Sequence, residues 1–413
     1  MQNEFLKQLF QQEFTKMVAV ISKLYGLQHI ETAEDIVSET FLQATQTWAG
    51  KGIPDNPTAW LYTVAKNRTL QDFRRNKIYA QKVMPAIKSD QEIEEAIPEP
   101  DFSEQYIKDS QLQMIFAICN PAVASEAQIG LALRILCGFG IDEIAEAFLS
   151  NKETINKRLF RAKEKLRTEQ IKIELPPPQE INKRLDNVLH VIYLLFNEGY
   201  YSKTQNSVLR KDLCIEALRL GLLLTQYEAT NQPKTKALIA LMCFHASRFD
   251  ARQTEGEAIV LYEDQDEKLW DEALINQGKY YLNQSLKGDE LTSYHLEARI
   301  AYWHCIKEDS SEKWDEILQL YNHLLLVNYS PSVALNRTYA LYKVKGAAEA
   351  IVEAEKLKLE NNHFYFVLLG ELYKSIDASK ALAHLHKAKA LAKTAAEQNS
   401  IQQKIAELNA ANR

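Results

Sequence analysis

The sequence predicts an all-α protein of more than one domain, and three observations predict it. The 413 residues include only 13 glycines and 11 prolines, about half the combined share of an ordinary globular chain. Ala, Leu, Glu, Lys and Gln, which favour helix, are abundant. The length exceeds that of the usual single domain. No run approaches the ~18 apolar residues that span a bilayer, and the opening MQNEFLKQLF lacks the basic-then-apolar pattern of a signal peptide. A cytoplasmic location without membrane contact is therefore expected. Cys119, Cys137, Cys214, Cys243 and Cys305 form no CxxC pair and read as reduced core thiols. The histidines form no HExxH pattern, and no metal or other cofactor is expected.

The prolines divide the chain. Pro85, Pro98 and Pro100 bracket a polar stretch, and Pro176, Pro177 and Pro178 form a stiff spacer. The expected pieces are residues 1–80, an acidic linker 81–103, 104–172, a Pro-rich linker 173–180, and 181–413. Within the first linker, SDQEIEEAIPEPDFSE holds Asp90, Glu92, Glu94, Glu95, Glu99, Asp101 and Glu104 without a basic residue. It reads either as a solvated tether or as a segment that occupies a basic channel on a partner.

In the first piece, ETAEDIVSETFLQA (31–44) is a helix whose Glu31, Glu34, Asp35 and Glu39 make an acidic surface. TWAGKGIPDNPTAW follows as a Gly/Pro loop between Trp48 and Trp60. Residues 61–77 then carry Lys66, Arg68, Arg74, Arg75 and Lys77 against the single acid Asp72, in a chain whose net charge is -6. Trp60, Val64 and Leu70 are expected to form the apolar stripe of this basic helix. An acidic helix suits a basic protein partner, an aromatic loop suits unstacked bases, and a basic helix suits phosphates.

The second piece contains IDEIAEAF, a short LSNK turn and ETINKRLFRAKEKL, the layout of a helix-turn-helix with Ile155, Leu159 and Ala162 facing the core. From Lys152 to Arg167 there are seven basic residues and two acids. Such a helix can enter a major groove, with Thr154, Asn156, Lys157, Arg158 and Arg161 near base edges and phosphates.

These motifs carry a resemblance. AEDIVSETFLQA followed by DNPTAWLYTVAKNRTLQDFRR resembles region 2 of the extracytoplasmic-function sigma factors of the sigma-70 family, and the helical pair ending in RLFRAKEKLR resembles their region 4. The resemblance implies that Asn56, Thr58 and Trp60 lie near captured bases of the promoter's -10 element, and Thr63, Lys66, Asn67, Arg74 and Arg75 along its strand. Trp60 can equally be a core residue. It further implies that Glu31, Asp35 and Glu39 dock on the β′ clamp helices of core RNA polymerase, and that region 4 reads the -35 element of promoter DNA and touches the β flap. Proteins of this kind catalyse nothing themselves.

The third piece is long, almost uninterrupted helix. FVLLGELY (366–373) fits the first helix of a tetratricopeptide (TPR) repeat at Phe366, Leu369, Gly370 and Tyr373, and Ala381, Leu385 and Ala388 supply the second; SVALNRTYALYKVKGAAEAIVEAEKL (332–357) repeats the layout. A TPR-like stacked scaffold with a protein or peptide ligand is expected for 181–413. FNEGY, DLCIEALRL, LYEDQDEKLWD and ALNRTYAL resemble a sigma-factor subgroup with such an extension, which is thought to control activity. Asn197, Glu198, Gly199 and Tyr200 read either as a helix C-cap with Gly199 at positive φ or as a surface that meets the DNA-binding domains. LYEDQDEKLWD reads as a hydrated loop or as a mimic of DNA. The competing reading of the whole chain is a DNA-binding transcriptional activator with a helical sensor domain, which would not need the polymerase-docking helix.

Overall fold

The computed structural model describes residues 2–83, 99–148, 150–200, 210–252, 260, 262, 265–288, 290–392 and 395–411. The fold is all-helical, and among the described residues there is no strand. Two compact units divide at Leu194/Leu195. The centre of the expected linker 81–103 lies outside the described residues, as do Leu149 of the LSNK turn and Glu263 and Asp264 of LYEDQDEKLWD.

The first unit opens with α1 (Gln2–Tyr25), α2 (Ile30–Lys51) and α3 (Pro57–Val83). Every third or fourth residue of α1 from Phe14 onward is apolar, so Phe14, Met17, Val18 and Ile21 bury against Ala33, Val37, Phe41 and Ala44 of α2 and Leu61 and Ala65 of α3. Gly52, at φ 81°, ends α2 by donating its N–H to Trp48 O at 3.0 Å; this left-handed conformation favours glycine. The buried stripe of α3 differs from the expected Trp60, Val64 and Leu70: Leu61, Ala65 and Thr69 are buried, and those three are only half-buried. The helix is rotated because Tyr62 donates its hydroxyl to Glu13 and Tyr25 stacks on Phe73 with ring centroids 4.4 Å apart, fixing flanking positions against α1.

The chain continues as α4 (Glu104–Ile118), α5 (Ser125–Leu131) with a π-turn (Ala132–Leu136), α6 (Ile141–Ala147) and α7 (Lys152–Thr168). α4 packs on α1, and the π-turn touches both, so the acidic-helix piece and the basic-helix piece share one packed unit. α8 (Pro178–Tyr200) starts inside the stretch expected as a proline spacer, since a first helical turn has no use for the missing proline N–H. Arg184 donates to Phe116 O at 2.6 Å, and Asn187 to Cys119 O at 2.6 Å. Through these bonds the first part of α8 belongs to this unit.

The second unit contains α9 (Lys211–Leu224), α10 (Pro233–Ala246), α11 (Phe249–Arg252), α12 (Glu272–Ser285), α13 (Ser293–Trp303), α14 (Ser311–Val327), α15 (Pro331–Lys345), α16 (Ala347–Leu357), α17 (His363–Tyr373), α18 (Ala378–Leu391) and α19 (Ala395–Ala411). From α13 onward each helix packs on the next. Small residues allow the close approach: a Cβ on Gly370 would stand 2.8 Å from Leu385, and Ala350, Ala354, Ala381 and Ala388 are fully buried. α10 sits at the centre of its neighbours, buried on nearly every face.

Candidate nucleic-acid interface

The loop and basic helix of the first unit place most of their polar side chains outward. Asn56 caps α3: its Oδ1 accepts the N–H of Ala59 at 3.0 Å, satisfying one free donor of the first turn. Beyond it Thr63, Asn67, Arg74 and Arg75 are exposed, and Thr58, Trp60 and Lys66 are half-buried. Trp60 meets the buried Trp48 edge to face, with centroids 5.3 Å apart. One face of its ring therefore belongs to the packing and part of it faces solvent. Asp72, the one acid of this helix, accepts from Tyr25 and from Arg75 at 2.8 Å each. It neutralises part of Arg75, while Arg74 has no ion pair among the described residues.

The end of the acidic linker returns to this face. Glu99 pairs with Lys66 at 2.7 Å, and Phe102 stacks on Tyr62 with centroids 4.7 Å apart. Both contacts escaped sequence reasoning, because nothing in the linker's composition says where its last residues come to rest.

The acidic helix does not present its carboxylates uniformly. Asp35 is exposed and without an ion pair among the described residues. Glu39 is engaged by Arg68, which also donates to Gln43 at 2.9 Å. Glu34 is buried between Arg134 and Lys163, each 2.9 Å away, and Glu31 lies 3.3 Å from Lys163 and 3.5 Å from Arg167. Of the three expected docking residues, Asp35 alone is unengaged.

α6 and α7 form a short helical hairpin. Asn151 caps α7 by accepting from the Thr154 N–H at 2.8 Å, and Ile155, Leu159, Ala162 and Leu166 bury the inner face. Thr154, Asn156, Lys157 and Arg161 are exposed. Arg158 is partly withdrawn: it lies 3.5 Å from Glu126, and its guanidinium sits 5.6 Å from the Phe148 ring centroid. Sequence reasoning passed over Phe160, a residue 65% exposed amid these cations; the signal was its phase, off the stripe of α7 that Ile155 and Leu159 form.

The FNEGY segment is not a C-cap. Gly199 lies within α8 and is not among the glycines at positive φ. It is small because α9 begins against it: a Cβ there would come within 2.7 Å of both Arg210 O and Cys214 Sγ, and Arg210 donates its N–H to Gly199 O at 3.0 Å. Tyr200 is buried, 4.6 Å from the His245 ring and 5.9 Å from Phe249, with the Arg252 guanidinium 4.0 Å over its face. Asn197 and Glu198 are half-buried on the same turn. Burial pushes the Cys119 and Cys243 thiols up to about 12, in line with inert core positions. Among the described residues no group of His, Cys, Asp and Glu could hold a metal, and no helix is long and apolar enough to cross a membrane.

Residues 9–78, which include α2 and most of α1 and α3, match sigma-70 region 2. Sigma-70 region 2 is a domain that in general binds core RNA polymerase and promoter DNA, and its match to this part of the chain supports a sigma factor of the sigma-70 type. Residues 184–286 match a family of unknown function, DUF6596. The chain is 33% identical over 388 residues, 93% of its own length and 91% of the other's, to uncharacterized protein R00370 of Rhizobium meliloti (strain 1021), and it belongs to the same family as that protein. No solved structure matches it.

Proposed function

We propose that this protein is a sigma factor of the extracytoplasmic-function type, which binds core RNA polymerase and directs initiation at specific promoters under the influence of its C-terminal helical unit. The observation that carries this reading is the coincidence of the sigma-70 region 2 match with a folded α1–α3 module that exposes Asn56, Thr63, Asn67, Arg74 and Arg75 along one helix and Asp35 on another. Exposed cations along a helix neutralise phosphates, and a half-exposed tryptophan beside a capped turn offers a face to an unstacked base. Asn56, Thr58 and Trp60 then meet bases of the -10 element, and Thr63, Lys66, Asn67, Arg74 and Arg75 follow its strand.

In the same reading α6 and α7 are the helix-turn-helix of region 4. Thr154, Asn156, Lys157 and Arg161 reach the -35 element, Phe160 contacts thymine methyl groups, and Arg158, held by Glu126 and Phe148, sets their orientation. Glu31, Asp35 and Glu39 form the polymerase-facing surface, with Asp35 as its centre. The second unit is a TPR-like scaffold whose ligand is a protein or peptide, and Asn197, Glu198, Gly199 and Tyr200 build its first corner rather than a docking surface. Copurification with core polymerase tests the reading: a stable complex at moderate salt supports it. DNA binding without polymerase binding would instead favour an activator.

A further inference from the structure

The turns along one edge of the second unit gather exposed apolar residues that no role assigned above uses. Successive helices run back and forth there. Leu296 near the start of α13, Leu324 near the end of α14 and Val333 near the start of α15 belong to one apolar cluster. Arg337 of α15 donates to Asn322 of α14 at 2.7 Å and lies 3.4 Å from Glu353 of α16, which sets the end of α16 level with the start of α15. On the other side, the His295 ring of α13 lies 3.2 Å from Ser285 O at the end of α12. The ends of α12, α14 and α16 and the starts of α13 and α15 therefore share one edge. At that edge Leu286, Leu291, Leu326, Val327, Tyr329 and Phe364 are each more than half exposed, Leu326 by 85%. The turns at the other ends of α13 to α16, residues 304–310 and Gly346, expose no large hydrophobic residue.

Apolar residues scattered singly over a surface are ordinary, whereas a group gathered at one edge marks a contact. We propose that this edge is a dimer interface, covered by the same edge of a second copy of the chain. Area and charge choose that occupant. Six residues of this size and exposure offer on the order of 600 Å² of surface, close to the ~800 Å² that each partner gives to a standard interface. The turns hold Lys287 and Lys358 against Asp289, Glu290 and Glu360, and Lys234 lies 3.8 Å from Glu290, so the two signs are balanced. A nucleic acid would call for an excess of cations, and a foreign surface of one sign for an excess of the other. A two-fold contact sets the patch against itself, which suits both signs in equal measure beside a shared apolar ridge. The proposal does not depend on the sigma-factor reading.

Sedimentation equilibrium of the full-length chain over about 1–100 µM, a range that reaches the weak end for interfaces of this size, tests the dimer. The expected mass approaches twice the 47.4 kDa of one chain at the upper concentrations. Leu326→Glu and Tyr329→Lys alter exposed positions, so both variants should keep the parent's helical circular dichroism while dimerisation weakens about ten-fold or more. Leu269→Glu, at an exposed site ahead of the other end of α12, should leave dimerisation unchanged. A parent that stays monomeric throughout overturns the proposal; if Leu326→Glu then also weakens binding to core polymerase, a polymerase surface covers the edge instead. A dimer that survives both edge variants overturns it as well, because its contact then lies elsewhere, and so does a dimer that all three variants weaken equally.

Discussion

Gly199 of α8 and Cys214 of α9 are packed so closely that a methyl group on the glycine would lie 2.7 Å from the cysteine sulfur. The backbone carbonyl of Arg210 is equally near, so repacking one side chain cannot make room. Gly199→Ala is expected to destabilise the protein by about 1–3 kcal/mol, the usual cost of overpacking. Adding Cys214→Ala should recover only part of that loss, because the carbonyl remains. Urea denaturation of the two variants measures both effects. Full recovery in the double variant would show that the sulfur alone sets the constraint.

Asp35 and Glu39 predict different outcomes when altered. Asp35 is exposed and unengaged, so Asp35→Lys should weaken core-polymerase binding about ten-fold or more, as loss of a charge contact at an interface does, with an unchanged melting temperature. Glu39→Gln also releases Arg68, and should lower binding less while shifting stability by under about 1 kcal/mol, the scale of a largely exposed pair. Polymerase binding and melting curves on the same preparations separate the two.

Asn56 has a structural duty as the cap of α3 and a proposed contact with promoter bases. Asn56→Asp keeps the cap, since a carboxylate accepts the same N–H, but adds a negative charge where a strand would pass. It is expected to leave stability intact and reduce promoter opening. Asn56→Ala should cost about 1 kcal/mol through the lost cap. Permanganate footprinting of the opened strand, beside thermal melts, checks the pair.

His304 sits 5.0 Å from the Tyr262 ring and 6.2 Å from the Trp314 ring. Burial, with the Arg248 and Lys313 cations nearby, lowers its pKa from 6.5 to about 3. Between those values the unfolded chain takes up a proton that the folded chain refuses, so the stability present above the ordinary histidine pKa is lost as pH falls toward 3. The second unit should therefore lose up to about 2 kcal/mol between about pH 7 and pH 5 from this group. His304→Gln should flatten that dependence, as read from urea midpoints at the two pH values.

The all-helical class and the sigma-70 region 2 helices were legible because they rest on local signals: few breakers, apolar periodicity, and the Gly/Pro loop between Trp48 and Trp60. The inward face of Ile155, Leu159 and Ala162 was legible for the same reason. What escaped was long-range. The rotation of α3 that buries Leu61 and Ala65 is set by Tyr62 reaching Glu13, 49 residues away. The clamp of Lys163 on Glu34 spans 129 residues and leaves no trace in either segment's pattern. Gly199 misled in an instructive way. A glycine after an apolar helical run signals a C-cap by its conformational freedom, but here it is needed for its size, and only the position of α9 reveals that.

The packing of α8 also governs how the central claim is tested. Arg184 and Asn187 bond to carbonyls of the first unit, so a chain ended before α8 would strip that unit of a packed face, and the full-length protein is the proper reagent. The most direct measurement is in vitro transcription with the full-length chain and core polymerase on a randomised promoter library. The account predicts transcripts that start from one shared promoter class and that depend on this protein. Core polymerase that neither binds the chain nor initiates in its presence would contradict it.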